Sequence, residues 1–261
     1  MMGSYALITG ASKGIGKAMA SQLAAKGYNL LLIARTENEL QLLADELIAS
    51  YKVKVSYLSA DLANQLSPKI VADWCRGLHA EVSILINNAG YGLWGDFAEL
   101  ALAEQLNMLQ VNLNSVVELT YHLLPLLKNQ ERAYILNVSS MAAYQALPTL
   151  ALYAASKAFI ISFSRAIRYE LKNTSVSVTV LSPGPTDTGF AHRAGLDRLA
   201  DLADKFNMQP ADVARIGLKG MFECKVEIIP GLLNKLSAYG AKHLNKAWIE
   251  RISAGLYRNA K

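Results

Sequence analysis

Residues 5–16 read YALITGASKGIG: an apolar run, then three glycines within seven positions, then the start of a helical pattern. Tyr5-Ala6-Leu7-Ile8 has the length and composition of a buried strand. Gly10 permits a tight turn after that strand, Gly14 lets the backbone approach a pyrophosphate, and Gly16 lets the next helix lie close to the strand. The helix N-terminus then offers free N–H groups and a positive dipole end to phosphate. The spacing G-x-x-x-G-x-G departs from the common G-x-G-x-x-G fingerprint, so the turn alone also fits a structural glycine loop.

Outward from this stretch, short apolar runs alternate with longer helical patterns. Strands are expected at about 5–9, 29–34, 53–58, 82–86, 133–138, 176–181 and 226–229. Helices are expected at roughly 15–26, 36–50, 64–77, 99–127, 151–172, 210–221 and 232–256. Runs such as LLLIA, SILIN and YILNV are apolar on both sides, so helices must cover both faces of the sheet. This predicts an α/β fold: a single doubly wound, Rossmann-type parallel sheet of about seven strands.

Apolar residues make up 52% and charged residues 18% of the 261 positions. No low-complexity tract, linker or repeat interrupts them, which predicts one compact domain. With no long apolar span and a first strand beginning near Ser4, a cytoplasmic protein is expected. Cys75 and Cys224 fit neither a metal motif nor a disulfide framework and read as free thiols. The net charge of +5 could suggest nucleic acid, but its distribution argues against that. Residues 1–234 are balanced, and the excess lies in Lys235, Lys242, Lys246, Arg251, Arg258 and Lys261 against Glu250 alone.

Five motifs in order resemble the short-chain dehydrogenase/reductase family, including its 3-oxoacyl-carrier-protein reductase-like branch. They are Thr9-Gly10-x-x-x-Gly14-Ile15-Gly16, Asn87-Asn88-Ala89-Gly90, Ser140, Tyr153-x-x-x-Lys157 and Pro183-Gly184. The likeness runs from about Ser4 to Thr188 and implies one dinucleotide-binding catalytic domain over 1–261. Tyr153 and Lys157, four apart on a helix, share a face. The ammonium favours the phenolate and brings a group that titrates near pH 10 toward the working range. The resemblance makes Tyr153 the acid or base, Lys157 also the holder of the nicotinamide ribose, and Ser140 the hydroxyl that orients the substrate. Ser139 reads as a strand-end residue bonding backbone. Tyr257-x-x-x-Lys261 matches the same pattern but reads as surface. Asn112 fits the family asparagine that distorts a helix and holds a water in a proton relay.

For the cofactor, the resemblance implies Gly10, Ser12, Lys13, Gly14, Ile15 and Gly16 around the phosphates. Asn87 to Gly90, with Asn88, Ala89 and Gly90 as contacts, bound the adenine and ribose side. Pro183, Gly184, Thr186 and Thr188 stand at the carboxamide. Asp61 fits either the residue beside the adenine amine or a cap for the helix from 64. NAD-binding relatives usually place an acidic residue at the Ala34 position; here Arg35 follows instead, and with Lys13 it suits a 2′-phosphate, hence NADP(H). No metal site is expected.

On the substrate side, Tyr91, Trp94, Tyr144, Leu147 and Phe190 suggest an apolar pocket, with 189–208 as a substrate-covering segment. Leu196 and Leu199 would add to the pocket, while His192 and Arg193 read as solvated. The implied activity is NADP(H)-dependent hydride transfer, reducing an apolar ketone, aldehyde or 3-oxoacyl-type substrate. Two alternatives stay open: an NAD-dependent alcohol dehydrogenase, and a non-catalytic NADP(H)-binding sensor or scaffold. A homodimer or homotetramer is expected. The basic amphipathic stretch 232–258 places Lys235, Lys242 and Lys246 opposite Leu233, Leu244, Trp248 and Ile252 on one helix. It is expected to lay its apolar side on the domain or a second subunit rather than on anionic lipid.

Overall fold

The computed structural model describes residues 3–189, 194 and 207–258. Seven parallel strands form one sheet: β1 (Tyr5–Thr9), β2 (Asn29–Ala34), β3 (Val55–Ser59), β4 (Val82–Asn87), β5 (Ala133–Val138), β6 (Val176–Leu181) and β7 (Glu227–Ile228). Their order is β3-β2-β1-β4-β5-β6-β7. β1 pairs with β2 on one side and with β4 on the other, so the chain reverses its winding direction at β1. Ligands bind at the carboxyl ends of the strands beside such a switch point.

The alternation of side chains along each strand explains the two covered faces. Ala6, Ile8, Leu30 and Leu32 point to one side, where they meet Met19 and Leu23 of α1 (Gly14–Ala24), Leu40 and Leu43 of α2 (Glu37–Tyr51), and Val213 and Leu218 of α7 (Pro210–Phe222). Leu7, Leu31 and Ile33 point to the other, against Val71 and Cys75 of α3 (Ser67–Gly77) and Leu119 and Leu123 of α5 (Ser115–Lys128). Cys75 and Cys224 are both free thiols. Among the described residues no helix is long and apolar enough to cross a membrane.

Three helices differ from expectation. The stretch 99–127 is not one regular helix: α4 (Leu102–Leu109) passes into a π-helical turn at Gln110–Asn114, a distortion at Asn112 of the kind the resemblance implied, before α5 begins. The third helix starts only at Ser67, because Asp61 and Asn64 first turn the chain, accepting from the backbone N–H groups of Ala63 and Leu66. Asp61 therefore does not cap that helix. The C-terminal stretch 232–258 is two helices, α8 (Leu232–His243) and α9 (Lys246–Arg258). Leu244 is extended, with φ −84° and ψ 163°, and Asn245 then accepts from the Trp248 N–H as α9 begins. The long α6 spans Ala151–Glu170 as one helix.

Candidate active site

The glycine turn is built by close contacts. Gly10 and Gly14 both have positive φ, 64° and 55°. A Cβ on Gly16 would stand 2.2 Å from the Gly10 carbonyl oxygen, so the turn closes tightly on itself. Lys13 precedes α1 without a side-chain cap bond, and the first turn holds no acidic residue. Bare backbone at a helix start without a side-chain cap is the chemistry a pyrophosphate needs. The turn is fastened to the end of β4 by Thr9, whose hydroxyl oxygen accepts from the N–H groups of Asn88 and Ala89, both at 3.0 Å. The Asn88 amide donates back to the Thr9 and Gly10 carbonyls. Thr9 is thus an organising residue to which sequence reasoning gave no role; its place in the Thr9-Gly10 motif was the available signal. Asn87, by contrast, does not line the cleft. It is buried and donates inward to Asn137 and Thr120.

Beside this turn, Gly90 marks the centre of the site. A Cβ there would lie 3.0 Å from Asn112 Oδ1 and 3.1 Å from Lys157 Nζ. Asn112 sits in the π-helical turn, and its side chain clamps the backbone of Tyr91: Oδ1 accepts from the Tyr91 N–H and Nδ2 donates to the Tyr91 carbonyl and to Ser156 Oγ. Lys157 is buried, donates to the Val138 carbonyl at 3.1 Å, and lies 5.9 Å from the centre of the Tyr153 ring. Burial pushes its ammonium down to about 8. Tyr153 is also buried, in an apolar cluster with Met108, Leu147, Leu150 and Ala154.

The two serines after β5 separate in role. Ser139 Oγ donates to the Lys157 carbonyl and ties the strand to α6. Ser140 Oγ accepts from the Ala142 N–H, capping a short 3₁₀ turn at Met141–Tyr144. That bond uses a lone pair of Ser140 and leaves its proton to be donated elsewhere. Tyr144, expected in the substrate pocket, is turned to a different neighbour. Its hydroxyl donates to Glu227 of β7, which also pairs with Arg165. The carboxylate captures the phenol, and burial with that bond raises its pKa.

On the pocket side the structure gathers Tyr91, Leu93 and Trp94 against the cluster that holds Leu147 and Tyr153. Pro183 accepts from the Met141 N–H. Gly184 lies against Asn234 of α8, and Thr186 pairs with Met208. Thr188 reaches the glycine turn, 2.8 Å from where a Gly14 Cβ would be. Phe190, His192, Arg193, Leu196, Leu199 and most of the 189–208 segment lie outside the described residues, as does Lys261 of the second Tyr-x-x-x-Lys pattern. At the adenosine end, Ala34 is buried and Arg35 exposed beyond it. Lys13 is paired with Glu39 at 2.7 Å. Glu39 escaped sequence reasoning because only the folded chain brings it to the turn. Asp61 is exposed and bonds only the local backbone among its described hydrogen bonds. Among the described residues no group of acidic, histidine or cysteine side chains is arranged to hold a metal.

A dinucleotide groove that meets a buried Tyr–Lys pair at one sheet edge defines a nicotinamide-dependent oxidoreductase. The model of the short chain dehydrogenases matches residues 4–199, and the chain belongs to that family. It is 33% identical over 238 residues to mouse (Mus musculus) 17-beta-hydroxysteroid dehydrogenase type 3, covering 90% of this chain and 77% of that protein. It is 34% identical over 187 residues to very-long-chain 3-oxoacyl-CoA reductase-B of Danio rerio, covering 70% and 59%. Among solved structures, a short-chain dehydrogenase from Sphingobium yanoikuyae in complex with NADPH superposes with a TM-score of 0.82 at 27% identity, over 98% of this chain and 95% of that one. One from Burkholderia phymatum in complex with NAD gives 0.83 at 26% identity, over 91% and 92%.

Proposed function

We propose that this protein is an NADPH-dependent carbonyl reductase acting on bulky apolar ketones, with steroid-like and long 3-oxoacyl compounds the classes to screen first. The observation that carries the reading is the seat of Tyr153: a proton donor set in an apolar cluster with Met108, Leu147 and Leu150, one helical turn from a buried lysine. A nicotinamide dinucleotide held at the glycine turn of Gly10, Gly14 and Gly16 would supply the hydride. Tyr153 gives its phenolic proton to the carbonyl oxygen, and the Lys157 ammonium stabilises the phenolate left behind. Ser140 donates to the same oxygen and stabilises the charge that develops on it. Asn112 shapes the pocket by holding the Tyr91 backbone. The relatives named for hydroxysteroids and very long acyl chains support an apolar substrate.

For the cofactor, Ala34 removes the usual ribose acceptor, and Arg35 and Lys13 supply cations suited to a 2′-phosphate. The Lys13–Glu39 ion pair favours a second reading, an NAD-dependent alcohol dehydrogenase, since it holds a carboxylate beside the glycine turn. Titrating the protein with NADPH and NADH, followed by nicotinamide fluorescence, separates the two. Tighter NADPH binding is expected, and Glu39→Gln, which frees Lys13, should strengthen NADPH by about threefold or more while leaving NADH unchanged. NADH preference in the unaltered protein overturns the NADPH reading. Tyr153→Phe should bind NADPH normally and lose turnover. A homo-oligomer in the cytosol belongs to the same reading, and its oligomeric part is supported by exposed Tyr121 on α5 and exposed Phe159 and Tyr169 on α6.

A further inference from the structure

Several apolar side chains of the C-terminal helices face outward. On α8 only a narrow face is covered, with Ala238 buried and Asn234 tucked beneath Gly184. Leu232, Leu236 and Tyr239 follow at i, i+4 and i+7 on the far side of that helix, and are 73%, 59% and 66% exposed. On α9, Ser253 is buried against Gln145, whereas Trp248 and Ile252, one turn apart, are 56% and 51% exposed. Leu233 and Leu244 are exposed as well. The break at Leu244 is the physical reason the expected packing of this apolar side on the domain fails: two short helices replace the single wheel. Exposed Lys235, Lys246 and Arg251 accompany the apolar side chains, and six cations face one acidic residue over 235–261.

We propose that this helical pair is an interfacial docking surface for a bilayer containing anionic lipid. A helix lies in the headgroup region when apolar side chains face the acyl boundary and flanking cations face acidic headgroups, and both are present here. A second copy suits the surface less well. In a two-fold contact the patch meets a copy of itself, so Lys235, Lys246 and Arg251 would find Glu250 as the single acidic residue that 235–261 offers them. Position adds a reason. Gln145 follows the 3₁₀ turn capped by Ser140, and Gly184 lies just beyond the end of β6, so both helices rest on the edge of the sheet where the substrate site opens. Resting on the apolar-ketone reading above, the surface turns that opening toward the phase in which such a substrate dissolves.

Flotation of the full chain with vesicles tests this. Vesicles of phosphatidylcholine containing one-third phosphatidylserine should carry the protein at low salt, with phosphatidylcholine alone binding about tenfold less and high salt releasing it. The pair Lys235→Glu with Arg251→Glu should weaken binding about tenfold or more, and so should Leu236→Asp with Trp248→Asp. Circular dichroism and turnover of a water-soluble carbonyl compound should be unchanged in both. Absence of binding to the anionic vesicles, or binding that survives both double substitutions, overturns the proposal. So does sedimentation in which Leu236→Asp with Trp248→Asp halves the particle mass while vesicles capture nothing, because a second copy then covers the face. Tyr153→Phe should float like the unaltered chain. Loss of the reductase reading with vesicle binding intact would leave the docking surface standing and remove only the delivery of substrate.

Discussion

Lys157 is held in the protein as a cation that its surroundings disfavour. Burial lowers it from 10.5 to about 8, so below pH 8 it is charged in both the folded and unfolded chain. The folded state then bears the whole cost of the buried charge, about 3 kcal/mol by the size of the shift. Between pH 8 and 10.5 the unfolded chain binds the extra proton, so this group's contribution makes stability rise with pH. Lys157→Met should therefore raise the unfolding free energy measured in urea at pH 7, by about 1–2 kcal/mol once the lost bond to Val138 is counted, while abolishing turnover. In the unaltered enzyme, NADPH-driven reduction should fall as pH rises through about 8, as the neutral amine ceases to stabilise the Tyr153 phenolate. A pH–rate profile checks this; Lys157→Arg should move the alkaline limb upward if any activity survives.

At the level of elements, α6 is launched from a strained residue. Thr149 has φ 66°, a region in which a β-branched side chain is rarely found, and its carbonyl accepts from the Gly95 N–H. Thr149→Gly should stabilise the fold by about 1 kcal/mol in urea unfolding, less any loss of side-chain packing, and should lower turnover if the strain helps to seat Tyr153. Sequence patterns located most elements because parallel strands are apolar on both faces and bounded by turns. They missed the π-helical turn at Gln110–Asn114 because apolar spacing continues through it; Asn112 was legible only through the family likeness. The break between α8 and α9 did carry a local signal, Asn245 three residues before Trp248, with Gly240 in the turn before it, but no proline stands there to mark the stop. Tyr144 and Glu39 were not legible, since their partners, Glu227 and Lys13, are distant in sequence and meet only in the folded chain. The glycines, Tyr153 and Lys157 were legible because backbone geometry and helical spacing constrain them locally.

Across the whole molecule, polar residues link layers that hydrophobic packing alone would leave free to slide. Asn87 of β4 bonds Asn137 of β5, which bonds Ser164 of α6, while Asn87 also reaches Thr120 of α5. All four are buried. Asn137→Ala should cost about 2 kcal/mol in urea unfolding, because it leaves the Asn87 amide with only its longer bond to Thr120 and takes from the buried Ser164 oxygen the amide that donates to it. Thr9 makes a second tie of this kind, bonding backbone groups 79 and 80 positions further along the chain. The floor of the nucleotide groove is therefore not a local product of the glycine turn. A chain emerging from the ribosome has no groove until its fourth strand has been made and laid beside the first. Nucleotide capture then rewards only the completed central sheet, so the dinucleotide pool acts on this protein as a thermodynamic pull toward finished folding, ahead of any reaction it serves.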